Sequence, residues 1–280
     1  MSTMETVARP PVQVEEKRSK PVTKPPGTKW KSIRRGLYIP VFILVIWQAA
    51  GMLGLISETL LPTPTAIAKS GWELTVSGEL WGHVQVSVRR AALGFLLGGS
   101  LGLGLGLLTG MFNRVEQTVD PSVQMLRMIP HLAITPLFIL WFGFGEMSKI
   151  LLIAKGAFFP LYVNTFLGIR SADSKLFDVA RILEFSRWKQ VTRLIIPASL
   201  PNMLLGLRLS LGVSWLGLVV AELMGSSEGI GYLIMDARQF SQTSIVFVGI
   251  IIFAVVGKAT DSFVRYLERK LLKWRDAYTG

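Results

Sequence analysis

Cysteine is absent from all 280 residues, which excludes a disulfide framework and any thiolate metal site. Histidine is scarce. His83 and His131 stand far apart and show no metal-ligand spacing. Charged residues make up 17% of the chain, against the roughly 25% usual in soluble domains. No G-x-x-x-x-G-K-S/T phosphate loop occurs. Gly257-Lys258-Ala259-Thr260 lacks the earlier glycine and lies in an apolar run. If ATP drives this protein, its hydrolysis takes place on another chain. No nucleophile and base form a catalytic constellation, which argues against an integral membrane enzyme.

What the chain has instead is hydrophobic residues, 50% of the total. They gather in six apolar segments, approximately 37–56, 91–111, 123–144, 150–169, 203–224 and 244–264. Each is near the ~20 residues that a helix needs to cross a bilayer. The fold class expected is therefore an all-α integral membrane protein with about six transmembrane helices. Arg127, Pro130, His131 and Pro136 interrupt the third segment, which predicts a kinked helix facing the bundle. Residues 1–36 are polar, basic and proline-rich, and read as a disordered cytoplasmic tail. Residues 265–280 read as a basic cytoplasmic C-terminal tail. The membrane-embedded body is expected over 37–264, with the polar loop 170–201 inside it.

The net charge is +12. Its distribution flanks the apolar spans and forms no nucleic-acid face. With the N-terminus inside, the outer segments hold only Lys69, Arg89, Arg90, Lys149 and Arg238 among the basic residues. The Lys and Arg bias therefore puts both termini in the cytoplasm. Arg89 and Arg90 read as local exceptions at an outer helix end. Trp72 and Trp81 suit an outer interfacial belt, and residues 225–243 suit an outer surface helix or a re-entrant element.

Gly94, Gly98, Gly102, Gly106 and Gly110 recur every fourth residue in the second segment. Overlapping G-x-x-x-G repeats make a flat stripe for close helix approach. A partner helix within the chain is favoured over a second copy, because most contacts in such a bundle are internal. The ionisable residues inside spans are Lys155, Arg208, Glu222, Lys258 and Asp261, with Arg127 and His131 in the interrupted one. Charge in lipid is costly, so such groups are functional candidates. Arg127, His131, Arg208 and Glu222 are the candidates for a translocation path. Lys258 and Asp261 suit snorkelling or pairing near a cytoplasmic end. His83 reads as an exposed interfacial residue.

The longest polar insert between apolar segments is 170–201. It reads as two short amphipathic helices on a membrane surface. Ser186 can cap the second, and Pro197 is expected to stop it. Basic residues Arg181, Arg187, Lys189 and Arg193 surround an apolar stripe. Such an element can dock into a groove on a soluble partner, or it can simply rest on headgroups.

Asp178-Val179-Ala180, then Glu184, then Leu194-Ile195-Ile196-Pro197 keep the spacing of the signature E-A-A, three residues, G, nine residues, I-x-L-P. This stretch resembles the coupling loop of permease subunits of bacterial ABC importers. Asp178 replaces the family Glu, and Glu184 replaces the family Gly of the turn. Further stretches are similar to the nitrate, sulfonate and taurine group, the aliphatic sulfonate permeases above all. They are Gln124-Met125-Leu126-Arg127 with Pro130-His131-Leu132-Ala133, Leu140-Trp141-Phe142-Gly143, Val219-Val220-Ala221-Glu222 and Gly229-Ile230-Gly231-Tyr232-Leu233. The resemblance covers about residues 37–278.

It implies a type I importer permease fold in the bacterial cytoplasmic membrane. It also implies a homodimer, two ATPase subunits that carry ATP and Mg, an extracytoplasmic substrate-binding protein, and no cofactor on this chain. Asp178, Val179, Ala180, Glu184, Leu194, Ile196 and Pro197 would then form the ATPase-coupling loop, with Ala180 small enough to let it seat in the partner's groove. Taurine and nitrate stand as alternative substrates. An ATP-independent secondary carrier is the alternative of another class, and the paired or interrupted halves common in carriers are not seen.

Overall fold

A computed structural model describes residues 28–172 and 174–272 of the chain. No strand occurs among them. They fall into two compact units, one ending at Ile46 and one beginning at Trp47. Residues 28–46 are helical. They belong to α1 (Thr28–Met52), which begins after Pro25-Pro26-Gly27. The helix therefore starts within the stretch expected to lack structure. From Thr28 to Tyr38 no glycine except Gly36 and no proline opposes it. Residues 1–27 of the expected N-terminal tail lie outside the described residues. So do residues 273–280 of the expected C-terminal tail, whose first part instead continues the last helix to Leu271.

In the second unit, α2 (Pro64–Val76) starts from an N-cap at Thr63, whose hydroxyl accepts from the Ala66 amide. Ile67 and Leu74 on its inner side join Leu80, Leu233 and Val248 in one apolar cluster. Trp72 and Trp81 are exposed. Then come α3 (Glu79–Met111), α4 (Asn113–Arg127), α5 (His131–Phe142) and α6 (Glu146–Arg170). After α6 come α7 (Ser174–Ile182), α8 (Arg187–Gln190), a π-helical turn at Val191–Ile195, and α9 (Ile196–Leu223). α10 (Ile230–Gln239) and α11 (Thr243–Leu271) are the last elements among the described residues.

Among the described residues four helices are long and apolar enough to cross a membrane: α3, α6, the continuous run Arg187–Leu223, and α11. The pair α4 and α5 is together long and apolar enough as well, but bends by 98° at its break, the form of a broken span or a re-entrant loop. The cause is local. Pro130 supplies no N–H to continue α4 and holds the preceding Ile129 away from the helical region. Tyr38–Met52 is a shorter apolar helix.

α6 is the central element of this unit. α3 lies against one side of it with the glycine stripe. A Cβ on Gly98 or Gly102 would run into the Ala154 or Phe158 backbone, and one on Gly106 would lie 2.8 Å from the Tyr162 carbonyl oxygen. Gly94 and Gly110 face Ile153 and Ile169 in the same way. The partner of the stripe is thus a helix of the same chain. Gly104, off the stripe, meets nothing within 4 Å. α9 covers the other side of α6. Ser210 Oγ donates to the Ala157 carbonyl at 2.5 Å, and Gly206 and Gly168 sit against Asn164 and Asn202.

Candidate functional site

The polar insert forms a helix, a turn and a second helix. α7 ends at Ile182, and the Glu184 and Phe185 amides donate back to the Arg181 and Ala180 carbonyls. Glu184 has φ +49°, the left-handed conformation that glycine adopts without cost. The turn geometry suited to glycine is therefore kept, with a side chain in its place. Ser186 caps α8, its hydroxyl accepting from the Lys189 amide.

Pro197 does not stop the second helix. It sits in the first turn of α9, and the helix runs unbroken from Arg187 to Leu223. The π turn at Val191–Ile195 gives the reason. The Ile196 amide donates to the Val191 carbonyl, one residue further back than in an α-helix. The widened turn accommodates the carbonyls that a proline ring would otherwise crowd. Leu194, Ile196 and Pro197 thus form a joint inside a spanning helix. The second arm of the insert is the end of that helix.

Ala180 is 1% exposed, so its small side chain seats α7 within this chain and is not free to enter a partner's groove. Asp178 is exposed, and its carboxylate lies 3.8 Å from the Arg181 guanidinium. The side chain of Val179 lies outside the described residues. The apolar surface turned outward belongs to Ile182 (80% exposed), Leu183 and Trp188 (76% exposed). Ile182 does not stand out in the sequence, because the stripe at helical spacing runs through Ala180 and Leu183.

A second feature lies at the break between α4 and α5. A cavity of about 520 Å³ opens there, lined by Arg127, His131, Lys155, Phe159, Val163 and Val213 among others. Lys155 Nζ donates to the Ile129 carbonyl at 2.8 Å and lies 3.4 Å from His131 Nδ1. His131 Nε2 is buried with no hydrogen-bond partner among the described residues, close to Gly156 and Gly217. Arg208 stands elsewhere. Its Nε donates to Asp261 at 2.8 Å, and Arg265 and Lys258 share the same carboxylate. Asp261 is thus paired with three cations, and Arg208 shares its counter-ion with two others.

A third feature lies where α3, α6, α9 and α10 meet. Glu222 and Arg90 are 2.9 Å apart, with side chains 0% and 2% exposed. Glu222 also accepts from Ser87 Oγ at 2.8 and 2.9 Å and from the Gly231 amide at 2.9 Å. Arg90 donates to both carboxylate oxygens of Glu146 and to the Glu228 carbonyl. The Gly229 amide donates to His83 Nδ1 at 3.1 Å. Arg90 is thus the buried hub of a network that reaches solvent at Glu146, not a stray surface charge, and His83 is a part-buried acceptor, not an exposed residue. Gly229 has φ +112°, and a Cβ there would strike Glu222. On α10, outside the spans, the Asp236 carboxylate raises the pKa of the Tyr232 phenol.

Four helices long and apolar enough to cross a membrane, a bent helix pair with a cavity at its break, and an exposed helix–turn–helix between two of the long helices define a multi-pass membrane protein with a docking arm. The chain belongs to the binding-protein-dependent transport system inner membrane component family, whose model matches residues 102–273. A Bacillus subtilis (strain 168) protein named as an aliphatic sulfonates transport permease, SsuC, is 66% identical over 92% of this chain and 94% of its own length. The taurine transport system permease protein TauC of Escherichia coli (strain K12) is 34% identical over 83% of this chain and 86% of its own. Among solved structures, the MetNI methionine ABC transporter shares the fold. The TM-score is 0.52 at 16% identity, over 64% of this chain and 92% of that chain. The protein is a permease subunit of an ABC importer, not an enzyme. It works with a separate ATPase and a substrate-binding protein.

Proposed function

We propose that the chain forms the membrane path for a small anionic solute, an aliphatic sulfonate, in a complex of two copies of itself and two ATPase subunits. ATP and Mg are bound and used on the ATPase. With α1 crossing as a sixth span in addition to the four long helices and the bent pair, both termini lie in the cytoplasm, and the 170–201 insert meets the ATPase there. The observation that carries this reading is the exposed apolar surface of Ile182, Leu183 and Trp188, set among Arg181, Arg187 and Lys189 on a tight turn between two spans. Exposed apolar groups ringed by charge suit a protein groove better than headgroups alone. The substrate reading is supported by the 66% identity to a permease named for aliphatic sulfonates.

The mechanism follows from continuity. α8, the π turn and α9 make one rod of 37 residues, about 55 Å long at 1.5 Å per residue. One end is the docking arm, and near the other end is Glu222. A shift of the docked arm therefore reaches the Arg90 network without passing through a flexible loop. Such a shift favours one state of the path only through contacts that differ between states. Arg127 and His131 belong to the path at the broken helix. Arg208 and Glu222 contribute through the pairs they form. The test is uptake of labelled alkanesulfonate, taurine and nitrate by cells with and without the gene. Gene-dependent uptake of the alkanesulfonate supports the reading. Gene-dependent uptake of nitrate alone would replace it.

A further inference from the structure

The cavity at the break between α4 and α5 has a chemical character of its own. Two cationic side chains line it, Lys155 and Arg127, and no carboxylate does. Neither cation forms an ion pair among the described residues, whereas Arg90, Arg170, Arg208 and Arg265 all do. Lys155 lies nine residues after Glu146 and fifteen before Arg170, so it stands deep in its span, about 13 Å from the nearer end. A lysine kept there without a counter-ion is costly unless something anionic visits it. The first turn of α5 adds to this. The first α5 amide bonded within the helix is that of Ile134, to the Pro130 carbonyl. The N–H groups of His131, Leu132 and Ala133 come before it, at the positive end of the helix dipole. A broken helix that turns its N-terminus to a cavity is suited to hold an anionic group. Asn164, whose amide N–H donates to the Pro160 carbonyl, adds one polar group; the facing wall is apolar, with Phe159, Val163, Leu209 and Val213.

We propose that this cavity is a transient binding subsite for an alkanesulfonate within the permease itself. The sulfonate group sits between Lys155, Arg127 and the start of α5, and the alkyl chain lies on Phe159, Val163 and Val213. This proposal rests on the function proposed above and deepens it. It gives the permease a selectivity that does not come from the binding protein. An amphipathic monoanion fits. Taurine fits less well, because its ammonium group would lie against an apolar wall or beside two cations. A volume of about 520 Å³ is in the range of small-molecule sites.

The absence of native cysteine makes the test direct. Val163→Cys is placed in the full permease, assembled with a cysteine-free ATPase in lipid nanodiscs. Its modification is followed with two methanethiosulfonates, the anionic sulfonatoethyl reagent and the cationic trimethylammonioethyl one. Relative to a free thiol, the anionic reagent is expected to react about tenfold faster than the cationic one. Ethanesulfonate should slow the reaction at lower concentration than taurine does. Adding Lys155→Gln should bring the two reagents close to equal rates, while Lys155→Arg should keep the preference. Gln can still donate to the Ile129 carbonyl, so a purely structural role would leave the ratio unmoved. Equal rates in the unmodified background, no reaction with either reagent, no protection by ethanesulfonate, or a ratio indifferent to Lys155→Gln would each overturn the proposal. Cellular uptake is read separately. Uptake of sulfonates with no charge preference at Val163→Cys removes the subsite alone. A charge preference without sulfonate uptake removes the substrate assignment.

Discussion

Arg90 Nη1 lies 2.9 Å from Glu222 Oε1, 132 residues away in sequence, and both side chains are closed to solvent. The pair ties α3 to α9. Through Gly231, Glu228 and Glu146 it also fixes the start of α10 and the start of α6. Removing one partner of a buried pair leaves the other charged and unmatched, at a cost of about 3–5 kcal/mol. Glu222→Ala is therefore expected to lower the thermal midpoint of the purified permease strongly. Arg90 keeps Glu146, so Arg90→Ala should be the worse of the two. Midpoints unchanged within error would show that the network carries little of the stability.

The glycine stripe makes a position-specific prediction. Gly102→Leu puts a side chain where the Phe158 backbone already lies, so α3 and α6 must separate. Expression and thermal stability should both fall. Gly104→Ala, two residues away with nothing within 4 Å, should be neutral, or stabilising by up to about 1 kcal/mol through helix propensity. Equal effects at both positions would contradict the contact.

The turn at Glu184 predicts a gain. A non-glycine residue in the left-handed region costs roughly 1–2 kcal/mol. Glu184→Gly should relieve about that much locally while transport continues. Lost transport in this variant would mean that the Glu184 carboxylate makes a contact of its own with the ATPase.

Topology is tested with single cysteines at Ser19, Ser77 and Thr279. An impermeant thiol reagent applied to intact cells should reach only position 77. Labelling of 19 or 279 would reverse the orientation drawn from the Lys and Arg bias.

Much of the architecture was legible in the chain because it depends on composition over long windows. Of the six apolar runs, four gave long spanning helices, the third a bent helix pair and the first a shorter apolar helix, and the four-residue glycine period gave the α3 face. Pro130 marked the break between α4 and α5, whereas α5 runs through Pro136. The 170–201 insert was legible as a helix, a turn and a helix, through Ser186 and the spacing of its signature. The features that escaped are non-local. Nothing near Arg90 in sequence announces Glu222 or Glu146, so a basic residue at a helix end read as an exception to the charge rule. Pro197 read as a stop because the π turn that accommodates it has no sequence mark of its own. Ile182 was passed over because its exposure depends on which face of α7 is covered, and burial of Ala180 decides that.

The coupling assignment is tested most directly at Ile182. This residue is 80% exposed, so Ile182→Arg should leave folding, membrane insertion and stability unchanged. In the assembled complex the same change sets a long charged side chain in the proposed contact with the ATPase. The measurement is the ATPase rate of the reconstituted complex with and without substrate-loaded binding protein, beside uptake in the same vesicles. The account predicts that Ile182→Arg loses both the stimulation and the uptake, while the permease remains folded with an unchanged thermal midpoint. Normal stimulation and normal uptake by Ile182→Arg would contradict it.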